Sequence, residues 1–501
     1  MKNNFSFLTF LLLFLTPTLF SQQQFSCGMS STDCKEVMAE MLKNREEMRD
    51  QNFDRGAITY VPLRFFLVAD LDGSGRGTER SCLTALCNLN NNYAEQEIQF
   101  YIKEFKYIDN GSIYDSPMGF SGSNAIANAM IYDAINIFVV QDAGGGAAAY
   151  FQPPYGPNGN DWVVCAKQYM TDTRVLTHEL GHFFSLAHTF NGWEEEQWDI
   201  AKHGNPVTQF WAPDGSTRVE LVDGSNCSNS GDGFCDTPAD YLFPSGNCSY
   251  TDQVRDKNSE LLEPQVDNYM NYHFGCSEYF YTDDQKAAVK NSLNSFNRNY
   301  VRPGFTPVTT EITDKPTLIS PENDEQLDYH ENVYLTWEPV EGAQYYIVDL
   351  LSGTTKIKRI VDTNFILFED ELQPDKSYLW KVMPFNESYG CAQFSSTIKF
   401  RTGEGFNSIQ EITEVSEFSI LPNPVQAGSN INISISADEN FDATIFLVSM
   451  TGQIVNSIQN YQFQKGNASL ELSTSNIPSG VYFVNIQSEK GVLNKKIIVS
   501  K

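Results

Sequence analysis

The chain has 501 residues, 41% of them hydrophobic and 19% charged, so apolar material suffices for more than one core, and length alone predicts about three domains at roughly 150 residues each. Its 63 Asp and Glu against 34 Lys and Arg leave a net charge of −29, which argues against nucleic acid or an anionic membrane surface as partner. The acidic surplus suits a soluble secreted protein and leaves room for calcium.

Lys2 and an apolar run from Phe5 to Phe20, interrupted by Pro17 and Thr18 and followed by Ser21, predict a signal peptide over residues 1–21. No later stretch reaches about 18 consecutive apolar residues, so no transmembrane helix is expected in the mature protein. Export places the ten cysteines in an oxidising compartment, where disulfides persist. Residues 22–55 are polar and helix-like, and read as a pro-segment or N-terminal arm. Strand patterns follow over Ile58–Asp70, Ile98–Ile108 and Ala134–Ala143, with a helix-like stretch over Ser81–Gln96. This alternation predicts an α/β layer. Gly144–Phe151, GGGAAAYF, is a candidate edge along which substrate backbone can pair, because small side chains permit close approach.

Residues Asn191 to about Asp267 are rich in Gly, Asn, Asp and Ser, and an irregular section of that length is expected to carry function or need bridges. After a Thr/Pro linker, short alternating strands over 315–403 predict a β-sandwich with Trp337, Tyr345 and Trp380 in its core. A second polar linker leads to a last β module over 419–501. It carries Leu421–Val425 (LPNPV), a turn at Gly452, Ile477–Ile486 (IPSGVYFVNI) and a basic end.

The segment with chemistry is THELGHFFSLAHTF, Thr177–Phe190. His178 and His182 are four apart, which on a helix places both imidazoles on one face and suits two ligands of one zinc ion. Glu179 lies beside the first ligand, positioned to take a proton from the attacking water. His188 follows six residues later, so the chain must turn back to deliver a third nitrogen. Three of the chain's six histidines fall in this span. Three His ligands leave one tetrahedral position open, the mark of a catalytic rather than a structural zinc site.

HELGHFFSLAH resembles the extended signature of the metzincin zinc proteases, H-E-x-x-H-x-x-G-x-x-H. The family has Gly, with a left-handed turn, where this chain has Ser185. Asp267–Cys276 (DNYMNYHFGC) resembles the family's Met-turn, with Met270 packed under the metal rather than ligating it. The ordered set HTF, DTPAD, NYM-x-Y, Cys and T-x-x-Q is similar to the pappalysin and cytophagalysin branch. The resemblance implies an α/β (α+β) catalytic domain over 56–303, with the active-site helix under a mixed sheet, followed by the two all-β sandwich domains. It also implies a secreted zinc endopeptidase acting on proteins or peptides. Tyr272 would contact the metal or the oxyanion, a packed pocket tyrosine being the alternative. The 315–403 sandwich resembles a fibronectin type III domain, with Leu372, Pro374, Tyr378 and Trp380 in its tyrosine-corner region. The last module resembles the sorting domain read by the type IX secretion machinery, which implies a secreted or cell-surface protein.

A secreted adhesive protein with a silent protease-like domain is the alternative function, and Glu179 argues against it. His273, Phe274 and Gly275 offer no acidic side chain behind the Met-turn, so no preference for Arg or Lys after the cut bond is expected. The resemblance implies a Cys248–Cys276 bridge, and elimination leaves Cys227–Cys235. Asp223, Asp232, Asp236 and Asp240 suit calcium, which members of the resembled family bind here, or form a solvated acidic loop. Cys27, followed by Gly28, has two open readings. Family members with a Cys-Gly leader are latent through a thiol on the metal, whereas Cys34, seven residues on, offers a disulfide instead.

Overall fold

β1 (Thr59–Ala69) is apolar at almost every position because both its faces are covered. Val61, Leu63, Phe65 and Leu67 enter one core, and Phe66 and Val68 another. The computed structural model describes residues 27–47, 57–154, 160–242, 248–404, 412, 415–449, 454–488 and 491–500. The signal peptide of residues 1–21 and the turn at Gly452 lie outside the described residues.

α1 (Ser31–Glu47) belongs to the leader. After β1 come α2 (Glu79–Asn92), β2 (Ile98–Asp109), the short α3 (Gly111–Asp115), α4 (Phe120–Ala129), β3 (Ile135–Val140), β4 (Ala149–Gln152) and β5 (Trp162–Ala166). They build a five-stranded sheet of order β2-β1-β3-β5-β4, parallel throughout except for the edge strand β4, which pairs antiparallel with β5. The α3 and α4 residues Ile113, Tyr114 and Ile126 cover one face. On the other face pack α1, α2, α5 (Val175–Phe183) and, after the one-turn α6 (Ile200–His203), α7 (Asp283–Asn294). The sheet is thus a mixed one with helices on both sides. α7 starts with a reciprocal cap: the Thr282 hydroxyl accepts from Gln285 N while Gln285 reaches back to Thr282 N.

The section from 191 to 267 holds no strand among its described residues, yet it has its own core. Trp193 stacks on Tyr241 at 4.9 Å between ring centroids, with Phe190, Val207, Val254 and Leu262 around them. Cys227–Cys235 and Cys248–Cys276 bridge this section, the second tying it to the segment after Met270. Closing loops of this kind stabilises by about 2–4 kcal/mol per bridge.

The next unit is all β. A five-stranded sheet contains the strands Tyr345–Ser352, Thr355–Val361 and Ser377–Phe385, and faces a three-stranded sheet containing the strand Val333–Trp337. Trp337 and Trp380 are fully buried between them, Tyr345 half-buried at the margin. Gln373 N donates to the Tyr378 hydroxyl at 2.8 Å, a backbone tie just upstream of that tyrosine. This sandwich is fastened to the sheet-and-helix unit by a third disulfide, Cys87–Cys391, spanning 304 residues. Beside it Asn90 Nδ2 donates to Ser388 O at 2.9 Å and Ile102 N to Glu387 O at 2.8 Å. Ile347, Met383 and Phe385 share the large core of the preceding unit. The last module is a second β-sandwich, a three-stranded and a five-stranded sheet around Ile433, Ile445, Val484 and Ile486.

Candidate metal centre

α5 is buried along its whole length, against β4, β5 and α2. Helical geometry brings Nε2 of His182 to 3.1 Å from Nε2 of His178. The helix stops where the chain must turn back. Leu186 N donates to Gly181 O and Ser185 N to His182 O, both at 2.9 Å, the paired bonds of a Schellman cap. Ser185 takes the left-handed position at φ 67°, where glycine is favoured. Its hydroxyl accepts from Asn44 Nδ2 at 3.2 Å and pairs with Ser292 Oγ at 3.0 Å, bonds that glycine cannot make and that offset the strain. The turn then delivers His188, whose Nε2 lies 3.2 Å from that of His182.

Each ring is oriented by its other nitrogen. His178 Nδ1 faces Tyr269 O and His182 Nδ1 faces Leu186 O, both at 2.7 Å, and His188 Nδ1 faces Glu194 Oε1 at 3.2 Å. The two carbonyl oxygens only accept, as does Glu194 in its carboxylate form, so the protons sit on Nδ1 and three Nε2 lone pairs converge on one point. Burial, with the neighbouring imidazoles, pushes His178 and His182 well below the usual histidine range, and burial alone pushes His188 down to about 3. Neutral rings are what a metal requires.

The leader completes the cluster. Cys27 Sγ and the three His ligand atoms all lie within 4.8 Å of one another. Cys27 and Cys34 are both unbridged and buried, so the alternative disulfide between them is not formed. The Cys27 thiol points at Glu179 Oε2 at 3.4 Å, and Tyr272 Oη reaches the Cys27 carbonyl at 3.4 Å. Glu179 is fully buried and burial pushes its carboxyl up to about 8. The leader also lies along β4: Cys27 bridges Ala149 in parallel and Gly28 N donates to Ala149 O at 2.9 Å. A Cβ on Gly28 would stand 3.1 Å from Ala147 Cβ and 3.2 Å from Tyr150 Cβ, so glycine lets the leader approach this closely. Farther on, α1 is held by Glu40 on the buried Arg298 and by Arg45 on Gly233 O.

Met270 is fully buried beneath α5. A Cβ at Gly181 would meet its sulfur at 2.4 Å, so the glycine of HELGH makes room for this methionine. The ring of Tyr272 stands 4.9 Å from that of His188. Asp240 of the DTPAD run ties the segment together: its Oδ2 accepts from Thr189 Oγ1 at 2.8 Å and Asn271 Nδ2 at 2.6 Å. Behind the turn, Arg174 donates to His273 O and covers the Tyr279 ring.

The acidic residues divide. Asp223 and Asp236 are exposed, and Asp236 accepts from Asp284 N at 2.8 Å. Asp232 is fully buried: Oδ1 accepts from Phe234 N and Thr237 Oγ1, while Oδ2 has no hydrogen bond. Glu220, absent from the sequence expectation, brings another buried carboxylate oxygen without a partner to the same place. Burial pushes both acids up, helped by the charges of Asp232 and Asp240 on Glu220 and of Asp236 and Asp240 on Asp232.

Residues 128–210, which contain the histidine cluster, match the family model described as pregnancy-associated plasma protein-A. Residues 419–500 match the secretion system C-terminal sorting domain. The chain carries a pappalysin-type metalloprotease domain and a type IX secretion sorting domain. It is similar to an extracellular metalloprotease of Neurospora crassa, 23% identical over 295 residues, 55% of this chain and 90% of the relative. An extracellular metalloprotease of Sordaria macrospora is 25% identical over 42% of this chain and 66% of its own length. The chain spans about half, 51%, of a third such relative, from Colletotrichum graminicola, at 26% identity. The chicken CNTN1 FN1–FN3 domains match 38% of this chain and 69% of theirs at 17% identity, with a TM-score of 0.17 that carries no fold argument. This metalloprotease is secreted or at the cell surface, and among its described residues no helix is long and apolar enough to cross a membrane.

Proposed function

We propose that this metalloprotease is a zinc-dependent endopeptidase of the metzincin type, kept latent by its own leader. The observation that carries the reading is the convergence of three imidazole Nε2 atoms with the Cys27 thiol beside Glu179. Three neutral nitrogens and one soft sulfur form a four-donor set that fits zinc. Zinc bound there would supply Lewis acidity at the scissile carbonyl.

The chain's own residues do the rest. His178, His182 and His188 would hold the metal. Glu179 would take a proton from the attacking water and return it to the leaving amine. Tyr272, already within reach of a main-chain carbonyl, would donate to the oxygen on which charge develops. Met270 and Gly181 would fix α5 from below by packing. Substrate backbone would pair with the edge of β4, the place the leader occupies through Cys27 and Gly28. Protein or peptide substrates would reach it after export by the type IX machinery. We expect the processed protein to cut members of a peptide library internally, to lose that activity to a chelator and to regain it with zinc. Cleavage unaffected by chelation would overturn the reading.

We also propose calcium at Glu220 and Asp232, with Asp236 and Asp240 outside the ligand set. Two buried, unbonded carboxylate oxygens are hard ligands that a divalent cation would neutralise. Saturating calcium, at about 100 times its Kd, is expected to stabilise chelated protein by about 2.7 kcal/mol. That corresponds to a rise in Tm of about 5–10 °C. An unchanged Tm in a calcium titration would remove calcium from the account.

A further inference from the structure

His178 and His182 are each steered by a backbone carbonyl, but the third imidazole is steered by a side chain. Glu194 lies six residues after His188, past the tight turn at Asn191–Trp193, where Asn191 N donates to His188 O at 3.0 Å and Trp193 N to Phe190 O at 3.0 Å. Its side chain is 4% exposed. Oε1 faces His188 Nδ1 at 3.2 Å and Oε2 accepts from Gly192 N at 2.8 Å, so both oxygens are engaged and the carboxylate is held in place. The leader thiol of Cys34 stands 3.7 Å from the same Nδ1 and hydrogen-bonds Glu194.

We infer that Glu194 is a positioning residue of the metal centre: its carboxylate fixes the tautomer and plane of His188 so that Nε2 faces the metal. The inference rests on the zinc reading above. The physical reason lies in the geometry of the turn. His178 and His182 are set by one helix, whereas His188 stands on a loop with no helical frame around it. A backbone carbonyl fixes a ring as well as a carboxylate does, but only a carboxylate adds negative charge, which makes the ring a stronger donor. The neighbouring Glu195 bonds Ser31 of the leader and is exposed, so it provides a matched control.

The experiment uses the full chain as wild type, Glu194→Gln, Glu194→Ala and Glu195→Gln. The zinc dissociation constant is measured by competition with a chromogenic chelator, and the Tm of each chelated protein is measured alongside. Glu194→Ala is expected to weaken zinc about 10–100-fold, and Glu194→Gln, which keeps the acceptor but loses the charge, by less. Glu195→Gln should match wild type. A role confined to packing would lower the Tm of chelated Glu194→Ala and leave the affinity of folded protein unchanged. Wild-type affinity in a folded Glu194 variant overturns the inference. If alanine prevents folding, the glutamine variant decides: an affinity equal to wild type overturns, a weaker one supports. Failure of the wild type itself to bind zinc is a different result, and sinks the zinc reading instead.

Discussion

Glu179→Ala is expected to retain its metal and lose about 10²–10⁴-fold in turnover, the usual contribution of a positioned general base. Metal retention follows from the geometry, because the four converging donors are the three imidazoles and Cys27, and Glu179 lies beside them. The variant also removes a fully buried carboxyl whose ionised form burial disfavours, so the fold itself should not suffer. Metal content, Tm and peptide cleavage measured on one preparation separate the outcomes. Near-wild-type turnover with metal in place would refute the assignment of Glu179 as base, whereas loss of metal would make it a ligand.

Cys27→Ala should abolish latency in the unprocessed chain. The wild-type protein is expected to be silent until the leader is cut, and the variant to cleave peptides and its own leader at once. Cys27 does two things that alanine cannot: its sulfur stands as a fourth donor beside the three imidazole nitrogens, and its thiol occupies Glu179 Oε2. The rest of the leader still anchors through Gly28 on Ala149, Glu40 on Arg298 and Asn44 on Ser185, so its hold on β4 should weaken rather than vanish. Time courses of both proteins, expressed from Gln22 and assayed before any cleavage, decide the matter. Equal silence would mean that steric cover of β4 suffices, and the thiol would lose its role.

Local pattern carried much of this. The spacing of His178 and His182 needs only a helix, and α5 is one. The strands over 58–70, 98–108 and 134–143 appear as β1, β2 and β3 within a few residues; β1 and β3 are apolar runs covered on both faces, whereas the edge strand β2 is buried mainly over its first half. The Ser185 departure was legible as a demand for a left-handed residue, but not its remedy. Asn44 and Ser292, which bond the serine hydroxyl, lie 141 and 107 residues away. Asp240 and Glu220 show the same limit. In the sequence both are acids near a DTPAD run. Only packing makes one a tie between Thr189 and Asn271, and the other a buried oxygen without a partner.

By itself, then, the sequence determined what short-range geometry can encode: the helix with its two imidazoles, the glutamate beside them, the acidic irregular section, and the β character of everything after about residue 315. The tertiary structure decided what depends on contacts between distant segments. It placed Cys27 among histidines about 150 residues away and left Cys34 at His188 rather than in a bridge. It paired Cys87 with Cys391 across 304 residues and set Glu194 behind the third imidazole. The reason is physical. Helix and strand periodicity is written by neighbours in the chain, whereas a thiol, a carboxylate or a cysteine partner is chosen by whatever the folded core brings within a few ångströms.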